Sequence, residues 1–231
     1  MHWDVHYVAE TGSTNTDLMA MARAGAEAGT VLHAGHQVAG KGRLGRSWIA
    51  PPGAALLVSV LLRPEGGPSF WDTAAVAVAA AAACRNLCAA QPLLKWPNDL
   101  VLGDRKLAGV LAEADAGSGA VVVGCGLNLA LPPSPELGAR AISLSDLVAH
   151  PPTAEAFLEA MLAELSHVLA VGHDVLRDRW IAQSATLGRS VRVEREGDDL
   201  QGTAEGIDPS GALLLDGRTV HIGDVVHLHR A

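Results

Sequence analysis

The chain has 231 residues, of which 49% are hydrophobic and 18% charged, and its formal net charge is −8. This acidic balance disfavours general nucleic-acid binding, because a polyanion would be repelled. The longest apolar run, residues 73–83, is well short of the ~20 residues that a membrane span needs, and three cysteines without framework spacing argue against a secreted disulfide scaffold. We therefore expect a globular cytoplasmic protein with no membrane or nucleic-acid partner.

The first predicted elements carry a run of small polar residues. A strand is predicted over Val5–Glu10, and Ser13-Thr14-Asn15 follows it. Two interpretations of this run stay open: Ser13 or Thr14 caps the next helix, or all three residues offer hydrogen bonds to a polar ring. A second strand, Thr30–Gln37, then leads the chain into a glycine-rich segment.

That segment, which we call the arginine loop, is Gly40-Lys41-Gly42-Arg43-Leu44-Gly45-Arg46-Ser47-Trp48. Its glycines let the backbone approach a ligand closely, and guanidinium groups match the geometry of oxyanions. The glycine spacing fits neither the P-loop nor the G-x-G-x-x-G pattern. The loop is therefore either a binding site for a phosphate or carboxylate, or a solvated basic surface loop.

Buried elements are predicted next. Ala55–Leu62 is a nearly continuous apolar strand, and residues 70–90 form a long alanine-rich helix that Pro92 ends. Val121–Leu131 predicts another buried strand in which Asn128 is the lone amide. Because a buried amide needs partners, Asn128 is expected to bond backbone or ligand.

A hairpin is predicted within residues 93–115, with its turn at Gly103-Asp104. If Asp99 and Lys106 flank this turn, a carboxylate and an ammonium project toward one pocket. The alternative is an ordinary cross-strand ion pair, which contributes only ~0–1 kcal/mol when exposed.

In the last third of the chain, predicted helices are followed by short predicted strands. A short helix is predicted over Ser143–Ala149 and a long one from Thr153 to about Trp180. After Leu187-Gly188, short alternating runs separated by turn residues predict a small β-barrel. We therefore expect two domains, residues 1–186 and 187–231.

Five motifs in this order carry a family resemblance. They are Ser13-Thr14-Asn15, the arginine loop, Lys95-Trp96-Pro97-Asn98-Asp99-Leu100, Arg105-Lys106-Leu107-Ala108-Gly109 and Gly124-Cys125-Gly126-Leu127-Asn128. Together they closely resemble biotin protein ligase, which attaches biotin to a lysine of a carboxyl carrier domain. The resemblance spans roughly residues 8–150 and continues more weakly into the terminal barrel.

The resemblance implies an α+β fold, with a mixed β-sheet flanked by helices as in class II aminoacyl-tRNA synthetases, and a small C-terminal SH3-like β-barrel. Some members carry an N-terminal DNA-binding domain, whereas this chain resembles the ligase-only type. The implied chemistry joins biotin to ATP as biotinyl-5′-AMP and passes the biotinyl group to a biotin carboxyl carrier domain of a carboxylase. Mg²⁺ is expected to offset the charge of the leaving phosphates.

The resemblance also implies roles for individual residues. Four polar side chains are expected at the ureido ring of biotin: Ser13, Thr14, Asn15 and Gln37. Four residues are expected at the nucleotide: Arg46, Trp48, Asn98 and Asn128. The backbone of Lys41 and Gly42 would lie along the ligand, and Arg43 and Lys106 would meet the carboxylate or the α-phosphate. Asp99 would position or deprotonate the incoming lysine amine, and no protein residue is expected to bind a metal.

Two departures from the family pattern and two alternatives stay open. Lys41 stands where arginine is frequent, and two residues, His229 and Arg230, are the candidates for the place of a C-terminal arginine that contacts ATP in relatives. One alternative function is a lipoate-type protein ligase, which shares the fold and the adenylation chemistry. The other is a non-catalytic biotin-binding module, against which Arg43, Asp99 and Lys106 speak.

Overall fold

A computed structural model describes residues 1–132, 140–195 and 197–228. Its largest element is a sheet of seven strands: β1 Asp4–Thr11, β2 Thr30–Gln37, β3 Ala55–Leu62, β4 Leu93–Lys95, β5 Asp99–Leu102, β6 Arg105–Asp115 and β7 Ala120–Asn128. The strand order is β1-β2-β3-β7-β6-β5-β4. The β1–β2 pair is parallel and the remaining pairs are antiparallel, so the predicted mixed sheet is confirmed.

Helices cover both faces of this sheet. They are α1 Thr14–Arg23, α2 Phe70–Cys88, α3 Ala154–Ala170 and α4 His173–Ala182. The position of β3 between helices explains why its sequence is continuously apolar. Val58 and Val60 share a core with α2, while Leu61 packs with Leu18 of α1. All eight residues of β3 are buried, as expected for a strand covered on both faces.

The C-terminal segment forms a second, five-stranded sheet. Its strands are β8 Ser190–Glu194, β9 Leu200–Ile207, β10 Leu213–Leu215, β11 Arg218–Val220 and β12 Asp224–His227. They pair antiparallel in the order β11-β10-β9-β8-β12. The predicted run of short strands is confirmed, whereas closure into a barrel stays a prediction.

Two helix predictions were wrong in their extent. The segment predicted as one helix from Thr153 to Trp180 is two helices, α3 and α4, separated by Val171 and Gly172 in extended conformation. The predicted helix at Ser143–Ala149 is a single 3₁₀ turn, Leu144–Asp146. Val171 is β-branched and Gly172 is a poor helix former, so both disfavour helix continuation.

The two sheets share one core. Trp71 Nε1 donates to Pro209 O at 2.8 Å, and Trp96 Nε1 donates to Gly211 O at 3.0 Å. Both indoles belong to a buried cluster that also contains Ile207 of β9. Across the described ranges, none of the helices has the length and apolar character needed to cross a bilayer.

Candidate active site

The start of α1 lies against the centre of the sheet and supplies a buried polar run. Ser13, Thr14 and Asn15 are at most 4% exposed. Ser13 occupies the N-cap position, but its side chain makes no capping hydrogen bond. Helix capping therefore does not account for this run, and its polar groups face the sheet.

A hydrogen-bond network holds this run in place. Gln37 Oε1 accepts from Thr14 N at 2.7 Å and from Thr14 Oγ1 at 3.0 Å. Ser59 Oγ lies 2.7 Å from Thr14 Oγ1 and 2.6 Å from Asn15 Oδ1. Ser59, on the α1 side of β3, was not predicted from the sequence, because a serine in an apolar strand gives no signal of its partner.

Glu113 of β6 links this network to the arginine loop. Its Oε2 accepts from Asn15 Nδ2 at 2.9 Å, and its Oε1 accepts from Lys41 Nζ at 3.1 Å. Asn15 Nδ2 also donates to Leu111 O at 3.2 Å. Both amide protons of Asn15 are therefore used by β6, and Lys41 is tied to the same strand.

Asp99 and Lys106 lie together on the β5–β6 hairpin. Lys106 Nζ is 2.7 Å from Asp99 Oδ1, and it lies 5.5 Å from the centroid of the Trp48 ring. The two side chains are only partly exposed, at 24% for Asp99 and 37% for Lys106. The pair is therefore partly shielded from water and lies beside an aromatic ring.

Asn98 and Asn128 bond the backbone of this hairpin and of its neighbours through their side-chain amides. Asn98 Nδ2 donates to Val110 O at 2.7 Å. Asn128 Nδ2 is 3.3 Å from Lys106 O and 3.1 Å from Ile142 O. Of the two partners expected for the buried Asn128 amide, backbone or ligand, the structure gives backbone.

The ring of Trp48 rests on two glycines of the sheet. A Cβ added at Gly126 would stand 2.5 Å from Trp48 Cε2, and one added at Gly109 would stand 3.1 Å from Trp48 Cζ3. The indole Nε1 is buried and has no hydrogen-bond partner among the described residues. The glycines of β6 and β7 therefore make room for an aromatic platform beside Lys106.

Arg43 and Arg46 both contact Asp224 at the start of β12. Arg43 Nη1 donates to Asp224 Oδ1 at 2.9 Å, and Arg46 Nη2 donates to Asp224 Oδ2 at 2.6 Å. Burial lowers the pKa of the Arg43 guanidinium, and the carboxylates of Asp224 and Asp99 act in the opposite direction. Asp99 is thus one of the charges that act on Arg43.

These contacts bring most of the predicted residues to one place. One cavity is lined by six of them: Ser13, Thr14, Asn15, Gln37, Lys41 and Trp48. A more open groove shares Lys41 with this cavity and adds Gly42, Arg43 and Arg46. Four predicted residues line neither space: Asn98, Asp99, Lys106 and Asn128. His229 and Arg230 lie outside the described residues.

Residues that the sequence did not single out complete the arrangement. Ser59, Glu113 and Asp224 each contact at least two of the predicted site residues. The cavity has a volume of about 30 Å³, which is room for two or three waters at ~10–15 Å³ each. A larger ligand therefore also occupies the open groove, or enters when the arginine loop or Trp48 moves.

Comparison with known proteins gives the family. Residues 7–129 match the Biotin/lipoate A/B protein ligase family, and residues 186–228 match the Biotin protein ligase C terminal domain. The chain is 41% identical to the biotin–[acetyl-CoA-carboxylase] ligase of Mycobacterium tuberculosis, over 96% of this chain and 88% of the relative. It is 36% identical to the enzyme of that name from Paracoccus denitrificans, over 91% of this chain and 93% of the relative.

A solved structure has the same fold. The biotin protein ligase from Aquifex aeolicus in complex with biotin and ATP superposes with a TM-score of 0.85 at 24% identity, covering 98% of this chain and 99% of that one. The chain therefore belongs to the biotin/lipoate A/B protein ligase family, within which it is a biotin protein ligase.

Proposed function

We propose that this protein is an ATP-dependent ligase that activates biotin as biotinyl-5′-AMP and transfers it to a specific lysine of a biotin carboxyl carrier domain. The observation that carries the proposal is that a cavity of buried polar side chains shares Lys41 with the groove that Arg43 lines, while Lys106, paired with Asp99, lies beside the Trp48 ring of that cavity. The ligase relatives are named for acetyl-CoA carboxylase. We take a carboxylase carrier as the protein substrate and the cytoplasm as the place of action.

The cavity suits a ring that both donates and accepts hydrogen bonds. Gln37 accepts two hydrogen bonds at Oε1 and still carries two donor protons on Nε2. Ser13 and Thr14 add hydroxyls that donate or accept. The ureido group of biotin has one carbonyl and two N–H groups, whereas the dithiolane ring of lipoate has none of these. A site built from buried polar groups rejects a ligand that leaves them unpaired.

The cations suit the first step. A carboxylate oxygen of biotin attacks the α-phosphorus of ATP, the bond from that phosphorus to the bridging oxygen breaks, and pyrophosphate leaves. Two anions must approach each other, so fixed positive groups at that point lower the barrier. We assign this part to Arg43 and Lys106, and nucleotide contact to Arg46 and to the face of Trp48 beside Lys106.

Asp99 suits the second step. The amine of the carrier lysine attacks the acyl carbon, the bond to the AMP oxygen breaks, and AMP leaves as the nitrogen loses a proton. We assign to Asp99 the orientation or the deprotonation of this amine. Its ion pair with Lys106, at 2.7 Å, holds the carboxylate beside the cation that serves the first step.

Mg²⁺ would enter with the nucleotide. Among the described residues no group of three or more His, Cys, Asp and Glu side chains is placed to hold a metal ion. Mg²⁺ commonly keeps several waters and is bound through substrate phosphates, so this site fits an ion carried by ATP. When bound, the ion offsets the negative charge of the leaving pyrophosphate.

The arginine loop has a second task. We propose that the loop closes over biotinyl-AMP while Arg43 and Arg46 keep their contacts with Asp224, which keeps water from the mixed anhydride. Equal protease sensitivity of the loop with and without biotin and ATP would contradict this closure.

The experiment that tests the function measures pyrophosphate release and carrier modification with biotin and, separately, with lipoate. We expect biotin to support both, and a carrier domain whose acceptor lysine is replaced to remain unmodified. Turnover with lipoate but not biotin would identify a lipoate-type ligase. Biotin binding without pyrophosphate release would identify a non-catalytic module, and either outcome overturns the proposal.

A further inference from the structure

One carboxylate of the second sheet holds both arginines of the arginine loop. Asp224 Oδ1 accepts from Arg43 Nη1 at 2.9 Å and Oδ2 accepts from Arg46 Nη2 at 2.6 Å. The neighbouring Gly223 O also accepts from Arg43 Nη1, at 3.1 Å. Each carboxylate oxygen therefore takes one guanidinium group, and the backbone beside it takes a second bond from Arg43.

This contact is shielded from water on the Arg43 side. The side chains of Arg43 and Asp224 are 18% and 22% exposed, whereas Arg46 is 60% exposed. An ion pair that is partly buried and hydrogen-bonded at good distances is screened less than an exposed pair. Asp224 is therefore a firm anchor for Arg43 and a weaker one for Arg46.

The loop needs such an anchor. Between the two arginines, Leu44 has a φ of 53° and Gly45 a φ of 72°. A leucine in the left-handed region is strained and persists only where the surroundings hold it. Contacts to Asp224 on both sides of this turn supply that hold, since Arg43 precedes it and Arg46 follows it.

The anchor leaves the arginines able to attract an anion. Two guanidinium groups and one carboxylate carry a net charge of about +1, and two hydrogen bonds at Nη1 use two of the five donors of Arg43. Asp99 is among the charges that act on Arg43. Arg43 is thus held by the second sheet.

We propose that Asp224 is a positioning residue for adenylation: it fixes Arg43 and Arg46 at the open groove before ATP arrives. This rests on the proposed function, because it takes the two arginines as the cations that meet the nucleotide and the biotin carboxylate. A loop fixed in advance loses less conformational freedom when the ligand binds. The second sheet thereby acts on the reaction without touching the reacting atoms.

The kinetic test is Asp224→Ala in the full chain, measured by biotin-dependent pyrophosphate release. We expect the KM for ATP to rise about 10-fold and kcat to change by less than about 3-fold. The variant leaves Arg43 and Arg46 less ordered before ATP binds, so the cost appears in ATP binding. Asp224→Glu, which keeps the carboxylate, should restore most of the affinity. The matched control is Glu194→Ala, which removes the cross-strand neighbour of Asp224 and should leave the KM unchanged.

Coupling to the arginines separates positioning from general damage. In an Arg43→Ala/Arg46→Ala background, Asp224→Ala should raise the KM for ATP no further, because the residues through which it acts are gone. An unchanged KM in the single variant overturns the proposal. A lowered KM also overturns it, since Asp224 would then compete with ATP for the arginines.

A second readout does not depend on activity. Trypsin cleaves after Lys41, Arg43 and Arg46, so limited digestion without substrate reports how firmly the loop is held. We expect cleavage there to be at least about 5-fold faster in Asp224→Ala and in Asp224→Asn than in the parent and in Glu194→Ala. If the parent released no pyrophosphate, the proposed function would fail, but this digestion would still test the anchor. Equal cleavage rates in the parent and the Asp224 variants would show that Asp224 does not hold the loop.

Discussion

At the scale of single residues, the Asp99–Lys106 pair is the part of the site to which the proposed mechanism assigns both chemical steps. Lys106→Met keeps the length and apolar stem of the side chain but removes the ammonium that lies 2.7 Å from Asp99. A charge-assisted contact is worth ~1.5–3 kcal/mol, so we expect biotinyl-AMP formation to fall at least ~10-fold. The measurement is single-turnover adenylate formation with saturating biotin and ATP.

Arg105→Ala is the matched control for that variant. Arg105 is the preceding residue of β6, is exposed, and lies on the other face of the strand. Removing its charge should leave adenylate formation within about 2-fold of the parent. Equal losses in the two variants would mean that Lys106 acts through the general charge of the hairpin.

Gly126 is a second residue at which the site can be tested. In Gly126→Ala the new Cβ would stand 2.5 Å from Trp48 Cε2, so the indole must leave its platform. We expect a changed Trp48 fluorescence and an affinity for ATP reduced about 10-fold, with biotin affinity less affected. Gly66→Ala is the control, because no atom lies within 4 Å of an added Cβ there. Unchanged ATP affinity in Gly126→Ala would exclude Trp48 from the nucleotide site.

The residues that sequence reasoning found and missed differ in a physical respect. Arg43, Asp99 and Lys106 stand in short motifs whose local pattern carries the signal. Asp224 lies 178 residues from Arg46 and Glu113 lies 98 residues from Asn15. The sequence around Asp224 or Glu113 does not predict which residue it contacts, because these contacts form only when the sheets are assembled.

At the scale of elements, local patterns predicted strands well where burial was continuous. The predicted ends of β2 and β3 agree with the structure; Gly29 precedes the first run and Arg63 follows the second. The break between α3 and α4 was missed, since apolar residues such as Val168 and Leu176 continue on both sides of it. A glycine within a periodic pattern is tolerated in many helices, so Gly172 alone did not mark an end.

The burial of three cysteines between α2 and the sheet predicts that their thiols are unreactive in the native protein. Cys84 and Cys88 of α2 and Cys125 of β7 are all buried. Burial raises the pKa of Cys125 to about 12 and raises the pKa of Cys84 and Cys88 as well. A raised pKa leaves almost no thiolate at pH 8, and the thiolate is the reactive form. We therefore expect iodoacetamide at pH 8 to modify these thiols only after unfolding, as detected by mass spectrometry.

An exposed cysteine provides the positive control for this experiment. Ala116→Cys places a thiol in the exposed turn between β6 and β7, and it should react with the native protein within minutes. Native labelling of Cys88 at a comparable rate would show that the end of α2 opens readily, which its helix packing does not predict.

At the scale of the whole molecule, the two sheets are joined by a common core rather than by a flexible linker. We propose the domain boundary at residues 186 and 187, and the contacts across it are extensive. Besides the bonds made by Trp71 and Trp96, Arg177 Nη2 donates to Ile207 O at 3.2 Å. Asp224 and the arginine loop form another contact across the same boundary. The position of the loop thus depends on both domains being in place.

This shared core predicts that the two domains unfold together. Calorimetry should give one transition, with equal calorimetric and van't Hoff enthalpies. Trp96→Phe leaves the buried Gly211 carbonyl without the bond that Trp96 Nε1 donates at 3.0 Å, which should cost ~1–3 kcal/mol. At about 2–4 °C for each kcal/mol in a chain of this size, Tm should fall while the transition stays single. Trp3→Phe, whose indole bonds Leu162 O within the first domain, is the control for indole loss. Two separate transitions in the parent protein would show that the domains are independent, and the coupling from Asp224 to the site would then need another route.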